Sequence, residues 1–156
     1  DRSQIEQVLI NLLKNAGEAC VEQTYPEVII STHCDLDKHL FFLSVCDNGS
    51  GILPEVLDKI FVPFFTTKPT GSGIGLSLCK QIMNLHGGSI SASSEIGKGS
   101  CFTLKFFVAD EKNEVNMLIY NLINNSTKKK WKKITSNVCT YKKKSYLCIA
   151  FEKQSN

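Results

Sequence analysis

The ten residues QVLINLLKNA, at positions 7–16, decide the first element of the fold. Apolar side chains in and around this stretch recur at spacings of three and four, which is the period of one helical face. The residues on that face are Ile5, Val8, Leu9, Leu12, Leu13, Ala16 and Ala19. We therefore predict an amphipathic helix from Ser3 to about residue 22, with Asp1 or Ser3 as its N-cap and Pro26 beyond its end.

The same helix carries two asparagines, Asn11 and Asn15, four residues apart, so both side-chain amides lie on one helical face. Lys14 lies on the adjoining face. Amide oxygens suit Mg²⁺, which prefers hard oxygen ligands, and an ammonium group suits phosphate. Two asparagines in a helix are more often ordinary surface residues, so the pair alone is only a weak indication of a site.

Two β-rich runs, Val28–Cys34 and Leu40–Cys46, follow the helix and predict a hairpin. The next residues, DNGSG at positions 47–51, break the chain. A carboxylate at the end of a strand, here Asp47, can accept a hydrogen bond from an exocyclic amine, and glycines let a flat ring approach the backbone. An ordinary Asp/Gly turn would explain the same residues.

A short helix and a loop come next. Pro54 suits the first position of a helix that continues through Ile60. Residues 61–73 contain two prolines, two glycines and four hydroxyl side chains, which predicts a mobile loop.

The end of that loop, GSGIGL at positions 71–76, leads into a helix predicted from Ile74 to His86. Glycines at this point expose successive backbone N–H groups, and the start of a helix adds a dipole that favours anions. The spacing is that of neither the dinucleotide fingerprint nor the P-loop. A single glycine loop is again a weak indication of a site.

Two more strands, Ser89–Ser93 and Ser100–Val108, complete the pattern. The order is then helix, two strands, short helix, loop, helix, two strands. This order predicts an α+β fold in two layers, with a mixed, mainly antiparallel sheet covered on one face by helices.

Composition and charge divide the chain near Asp110. The 156 residues are 42% hydrophobic, which suits one domain with a core, and the longest apolar runs are too short to span a membrane. We identify no signal peptide. Residues 1–109 carry eight basic and eleven acidic side chains, a net charge of −3, whereas residues 110–156 carry ten and four, a net charge of +6. We predict a folded domain over 1–109 and a basic tail of unknown role over 110–156, with residues 115–123 as a candidate helix and Tyr146–Phe151 as a candidate strand.

The seven cysteines form no Cys-x-x-Cys pair, and several lie inside apolar runs. We interpret them as reduced, buried side chains rather than as a metal site or a disulfide framework. The three histidines, His33, His39 and His86, lie beside the hairpin or at a helix end, and we interpret them as structural.

Together and in this order, the blocks resemble the sensor histidine kinase family, within the group that shares the Bergerat ATP-binding fold. The blocks that match are the N box at residues 7–16, the G1 box at 47–52, the F box at 60–68, the G2 box at 71–76 and the closing hairpin at 95–102. The resemblance covers about residues 1–108.

The resemblance implies a site for ATP and Mg²⁺, with Asn15 and Lys14 as candidate catalytic residues. At the phosphates, the resemblance implies Asn15 as the Mg²⁺ ligand, with Asn11 and Lys14 nearby. At the base, it implies Asp47 as acceptor of the adenine amino group and a pocket formed by Gly49, Gly51 and Ile52. In the loop, it implies Phe61 and Phe64 as anchors and a lid over the triphosphate formed by Thr66, Thr67, Lys68, Gly71, Gly73, Gly75 and Leu76.

Asn11 separates two kinds of reaction. Related ATPases of the gyrase, mismatch-repair and chaperone type have a water-activating Glu four residues before the magnesium-binding Asn, and Asn11 is not a base at neutral pH. We therefore expect γ-phosphoryl transfer to a histidine rather than efficient hydrolysis. One alternative is a nucleotide-binding regulatory module without transfer activity. Another is a nucleic-acid-binding protein driven by the basic tail, against which the negative charge of residues 1–109 argues.

The resemblance also implies partners, because none of the three histidines matches the family's acceptor pattern. We expect the acceptor histidine on a separate dimerisation domain of the same parent protein, a response-regulator receiver downstream, and a homodimeric parent. We expect this domain to be cytoplasmic and its parent to be anchored in the inner or plasma membrane. The family also has a strand before the N-box helix that this sequence lacks, so we expect an open sheet edge.

Overall fold

A computed structural model describes residues 1–35, 37–69, 71–107, 131–141 and 144–153 of the protein. Its helices are α1 (Arg2–Ala19), α2 (Pro54–Leu57) and α3 (Gly75–Leu85). Its strands are β1 (Glu27–Asp35), β2 (Leu40–Asp47), β3 (Ser89–Glu95), β4 (Gly99–Phe107), β5 (Trp131–Tyr141) and β6 (Lys144–Lys153).

Helix α1 confirms the element predicted from the N-terminal pattern. Asp1 is its N-cap, because the Asp1 carboxylate accepts hydrogen bonds from the backbone N–H of Ser3 at 2.9 Å and from its hydroxyl at 2.7 Å. The helix ends at Ala19, about three residues before the predicted end. The Ala19 carbonyl accepts a bond from the backbone N–H of Ser50, so tertiary contacts use the end of the helix.

The strands form one sheet in the order β3-β4-β2-β1-β6-β5, and every pairing between the described strands is antiparallel. In β2, buried residues alternate with half-buried ones, as expected when one face of a sheet is covered. The register places Asp47 opposite Ser100 and Cys46 opposite Cys101. The predicted α+β sandwich is confirmed.

The hydrophobic core lies between the helices and the covered face of the sheet. Helix α1 packs against α3, and both contribute fully buried apolar side chains. The buried apolar residues are Val8, Leu9, Leu12, Ala16, Cys20, Val28, Ile30, Phe41, Leu43, Val45, Ile60, Cys79, Ile82, Met83, Phe102 and Leu104. Burial of each large aliphatic side chain stabilises the fold by about 1.5–3 kcal/mol, so this layer fixes how α1 and α3 sit on the sheet.

The last two strands extend the sheet beyond β1. Strand β6 confirms the strand predicted at Tyr146–Phe151 and pairs with β1, so the sheet edge that we expected to be open is paired. Strand β5 was not predicted, although Ile134, Val138 and Thr140 gave a signal within the lysine clusters. The candidate helix at residues 115–123 lies outside the described residues, and the division of the chain near residue 110 stays a prediction.

The structure also bears on the cysteines. Cys20 and Cys79 are free and buried, as predicted, but Cys46 and Cys101 form a disulfide, so the prediction of reduced thiols is wrong for that pair. The two residues are 55 positions apart in sequence and meet only through the pairing of β2 with β4. In the part of the chain that the structure describes, no helix is both long and apolar enough to cross a bilayer.

Candidate functional site

A cavity of about 690 Å³ lies between α1, the turn after β2 and the loop at residues 61–73, which we call the lid loop. Most of the predicted site residues meet there. Those that line the cavity are Asn11, Lys14, Asn15, Asp47, Gly51, Ile52, Thr66, Thr67, Lys68, Gly71, Gly73, Gly75 and Leu76.

Three predicted residues do not line the cavity. Gly49 packs against α1, where a β-carbon would come within 2.5 Å of the Ala19 carbonyl oxygen. The Phe61 ring packs against the hydrophobic core, with the Lys80 ammonium 5.7 Å from its centroid. Phe64 is 77% exposed and holds the lid loop through its backbone, whose N–H donates to the Gly73 carbonyl at 2.9 Å.

Other residues in the lining were not predicted. They are Glu18, Ala19, Ser50, Val56, Ile60, Phe65, Ser72, Ser100 and Phe102. Glu18 carried a usable signal, because it lies three residues after Asn15 and so on the same helical face. Ser100 and Phe102 could not be found without knowing that β4 pairs with β2.

Asp47 lies at one end of the cavity and is only 8% exposed. Its Oδ1 accepts the backbone N–H of Gly49 at 2.9 Å and that of Ser100 at 3.3 Å, and no described residue donates to Oδ2. Burial raises the pKa of this carboxyl above its usual range, although the two N–H groups and the charge of Lys68 act in the opposite direction. One carboxylate oxygen is therefore held by the fold while the other stays available to a ligand donor.

The surroundings of Asp47 are apolar and close-fitting. Ile52, Val56, Leu76 and Phe102 contribute apolar surface to the lining. Gly51 has a φ of +76° and no room for a β-carbon against the Glu95 carbonyl, so only glycine fits there without strain. This end of the cavity suits a flat, largely apolar ring that carries a hydrogen-bond donor.

Asn48, which was not predicted, fastens the turn after β2 to the segment between α1 and β1. Its Oδ1 accepts the backbone N–H of Glu27 at 2.9 Å, and its Nδ2 donates to the Tyr25 carbonyl at 2.7 Å. Its backbone N–H also donates to the Glu27 carbonyl at 3.2 Å. These bonds fix the turn that begins immediately after Asp47.

The opposite end of the cavity is polar and charged. Lys68 of the lid loop reaches across to α1, where its Nζ lies 3.2 Å from Asn15 Oδ1 and 2.5 Å from Glu18 Oε2. Lys14 Nζ lies 3.9 Å from Glu18 Oε1. Asn11 lies deeper, and its Nδ2 donates to the Gly75 carbonyl at 3.5 Å. Two ammonium groups and two side-chain amides thus meet at one end of the cavity.

The glycine-rich end of the lid loop delivers the start of α3 to the cavity. Gly73 has a φ of +67° and lies against the backbone of Phe64, which fixes the exit of the loop. The N-cap residue of α3 is Ile74, whose side chain makes no capping hydrogen bond. The backbone N–H of Ile74 donates to the Ser72 hydroxyl at 3.3 Å. Unbonded N–H groups in a first helical turn favour an anion, so this wall suits phosphate.

The residues at the polar end fit Mg²⁺. Asn15 Oδ1 already accepts a hydrogen bond from a cation, the Lys68 ammonium, and the Glu18 carboxylate supplies further hard oxygen atoms beside it. Among the described residues, no group of three or more His, Cys, Asp and Glu side chains could hold a metal ion. A cation here would therefore depend on the amide of Asn15 and on oxygens brought by a ligand.

Comparison with known proteins agrees with this geometry. Residues 1–111 match the family model described as histidine kinase-, DNA gyrase B-, and HSP90-like ATPase. The sensor protein FixL of Bradyrhizobium diazoefficiens is 40% identical over 111 residues, which are 71% of this chain and 22% of FixL. The sensor histidine kinase ZraS of Escherichia coli is 41% identical over 104 residues, which are 67% of this chain and 22% of ZraS. The chain thus spans about a fifth of the length of these relatives.

Among solved structures, the catalytic domain of histidine kinase ThkA in a nucleotide-free form is similar to this protein. The TM-score is 0.59 and the sequence identity is 40%, over 68% of this chain and 67% of the ThkA chain.

Proposed function

Because the chain belongs to the histidine kinase-, DNA gyrase B-, and HSP90-like ATPase family and is the catalytic domain of a sensor histidine kinase, we propose that it binds Mg-ATP and transfers the γ-phosphoryl group to a histidine on a separate dimerisation domain. One observation carries the proposal: a buried carboxylate, Asp47, and a cluster of amides and ammonium groups lie at opposite ends of one cavity. That separation of chemistry suits a molecule with a ring at one end and phosphates at the other.

At the ring end, Asp47 Oδ2 accepts the exocyclic amino group of adenine. Two backbone N–H groups hold Oδ1, so the carboxylate keeps its orientation without the ligand. Ile52, Val56 and Phe102 exclude water from the faces of the ring. A guanine base presents a carbonyl oxygen at the equivalent position, and the ionised carboxylate would repel it.

At the phosphate end, Lys14 and Lys68 supply positive charge, and the start of α3 supplies backbone N–H groups. Asn15 would hold Mg²⁺ through its Oδ1, with Asn11 beside it. When bound, Mg²⁺ neutralises charge on the β- and γ-phosphates and orients them. The glycines of the lid loop let its backbone lie close to the triphosphate.

The side chains near the phosphates favour transfer over hydrolysis. Asn11 Nδ2 contacts the Gly75 carbonyl and the Cys79 sulfur, and an amide cannot take a proton from water. Phosphoryl transfer needs positioning and charge neutralisation more than a base at this place. The acceptor histidine would come from the dimerisation domain, in a homodimeric parent that passes the phosphoryl group to a response-regulator receiver. We propose further that this domain is cytoplasmic and that its parent is anchored in a membrane.

Calorimetric titration of ATP with Mg²⁺ into the 156-residue chain tests the nucleotide site. The change Asp47→Asn keeps an oxygen for Gly49 and Ser100 but replaces the second oxygen with a donor. We expect this variant to lose about 1.5–3 kcal/mol of binding free energy, the scale of a hydrogen bond to a charged group.

The matched control is Asp58→Asn, which removes an exposed carboxylate outside the cavity and should leave the affinity unchanged. Equal ATP affinity in the Asp47 variant and the wild type would show that this carboxylate does not bind the adenine amino group. Binding of ATP without transfer to any supplied dimerisation domain would favour a regulatory nucleotide-binding module instead.

A further inference from the structure

We propose that Glu18 is an internal competitor of the nucleotide's phosphates, an inference that rests on the function proposed above. Its carboxylate lies within ion-pair distance of both lysines at the phosphate end of the cavity. The affinity for a triphosphate is thus lowered by the small free energy needed to separate Glu18 from these two ammonium groups.

The Glu18 carboxylate lies between two ammonium groups, as a bound phosphate would. One oxygen, Oε2, lies 2.5 Å from Lys68 Nζ, and the other, Oε1, lies 3.9 Å from Lys14 Nζ. A single anion therefore spans two cations that approach it from different elements, α1 and the lid loop. Lys68 simultaneously donates to Asn15 Oδ1 at 3.2 Å, so the same cluster includes the proposed magnesium ligand.

Local helix chemistry does not explain the cluster. Lys14 and Glu18 are four residues apart, but with Lys on the N-terminal side, which is the weaker orientation of such a pair. Lys68 is 50 residues away from Glu18 in sequence and reaches it across the mouth of the cavity. The contact joins the lid loop to α1 at the point where the phosphates would bind.

Exposure of the partners makes the exchange feasible. The Lys68 and Glu18 side chains are 43% and 41% exposed, and ion pairs of this kind contribute only about 0.2–1 kcal/mol. A triphosphate, with several negative charges, can therefore displace Glu18 at small cost. AMP brings a single phosphate and should depend much less on that displacement.

Magnesium-free calorimetry with ATP and with AMP isolates this effect from metal binding. The chains to compare are wild type, Glu18→Gln, Lys68→Gln and the double variant, with Glu22→Gln as a control that removes an exposed charge near the same helix end. Glu18→Gln keeps the shape of the side chain and loses its charge. We expect it to bind ATP about two- to fivefold more tightly, the range that an exposed ion pair allows, with little change for AMP.

The double variant shows whether Glu18 acts through Lys68. In the Lys68→Gln background the gain from Glu18→Gln should shrink to the smaller part that acts through Lys14, whose contact with Glu18 is the longer of the two. An equal gain in both backgrounds, or an equal gain for AMP, would mean a general field effect and would overturn the proposal. Unchanged or weaker ATP binding by Glu18→Gln would overturn it as well, because Glu18 would then support Lys68 rather than compete for it.

The outcome for the wild type separates this inference from the proposed function. If the wild type binds neither ATP nor AMP, with Mg²⁺ or without it, the nucleotide site itself is refuted and Glu18 has nothing to compete with. If the wild type binds both and Glu18→Gln changes neither, only the competition is refuted.

Discussion

Asp47 is subject to opposing influences on its charge. Burial raises its pKa, whereas the N–H groups of Gly49 and Ser100 and the Lys68 ammonium lower it, and burial has the largest effect. The carboxylate form, which we propose accepts a hydrogen bond from the adenine amino group, therefore dominates only above a pKa that is higher than that of an ordinary aspartate.

The affinity for ATP should consequently fall as the pH falls through the raised pKa of Asp47. Calorimetric titrations from about pH 7.5 down to about pH 4.5 cover the interval above the ordinary aspartate pKa of about 3.9. The Asp47→Asn variant should be weaker at neutral pH and should show a flatter profile. Parallel profiles for the two proteins would assign the pH dependence to other groups, including the base itself.

The effect of the same group on folding has the opposite sign. Because the folded-state pKa of Asp47 is raised, its contribution to stability is present below the unfolded-state pKa and is lost as the pH rises through the folded-state pKa. Denaturant titrations of wild type and Asp47→Asn should show wild type gaining stability relative to the variant as the pH falls. If the wild type instead gained stability relative to the variant as the pH rises, burial would not be the largest influence on the pKa of Asp47.

At this scale the sequence was informative where a residue's chemistry is local. Asp47 and Asn15 were predicted from the motif blocks that contain them, since a strand end with glycines and a helical Asn pair are each weak indications alone, and both residues line the cavity. The contact of Glu18 with Lys68 and that of Asn48 with Tyr25 could not be predicted, because the partners lie 50 and 23 residues apart in sequence and are brought close only by folding.

At the scale of elements, the Asn48 side chain makes two of the hydrogen bonds that attach the turn after β2 to the α1–β1 segment. Asn48→Ala removes the two side-chain bonds to the backbone of Glu27 and Tyr25 and leaves a backbone N–H without its acceptor. We expect the free energy of unfolding to fall by about 1–3 kcal/mol, measured by urea denaturation.

The control for this change is Asn84→Ala, at an exposed position of α3, which should alter stability by less than about 0.5 kcal/mol. Similar losses in the two variants would show that the Asn48 bonds do not contribute as described. ATP affinity should also fall in the Asn48 variant, since the turn orients Asp47.

Helices and strands with a clear hydrophobic period were predicted within a few residues, because one buried face is enough to define them. The prediction of α2 was too long: it ends at Leu57 rather than near Ile60, because the following residues turn toward the lid loop. Properties that depend on pairing were not accessible, among them the Cys46–Cys101 disulfide and the position of β6 beside β1. Strand β5 was not predicted because its lysines interrupt the hydrophobic pattern that Ile134 and Val138 would otherwise give.

At the scale of the whole molecule, the proposed transfer requires an acceptor histidine, which we expect on a separate dimerisation domain because none of the three histidines of this chain matches the family's acceptor pattern. Asn15→Ala should abolish phosphoryl transfer from ATP to a supplied dimerisation domain, because Asn15 is the proposed magnesium ligand. Circular dichroism should show the wild-type secondary structure, and thermal melting should show a free energy of unfolding changed by no more than about 0.5 kcal/mol, since Asn15 is half-buried at the edge of the core.

Gln81→Ala provides the control, since Gln81 is an exposed amide of α3 outside the cavity, and it should leave transfer unchanged. Transfer at the wild-type rate by the Asn15 variant would remove this residue from the mechanism. Loss of transfer together with loss of the thermal transition would instead mean that the substitution had disrupted the fold.

Helix α1 both packs into the core and lines the cavity, and these two roles limit which of its residues can be substituted during evolution. Val8, Leu9, Leu12 and Ala16 are buried in the core, while Asn11, Lys14, Asn15, Glu18 and Ala19 line the cavity. Substitutions at the first set threaten folding and at the second set threaten ligand binding. Ser3, Gln7 and Ile10 belong to neither set and fall on one exposed stripe of the first three turns. Neutral change in this helix should accumulate on that stripe, so the helix would stay recognisable in chains whose other segments have diverged.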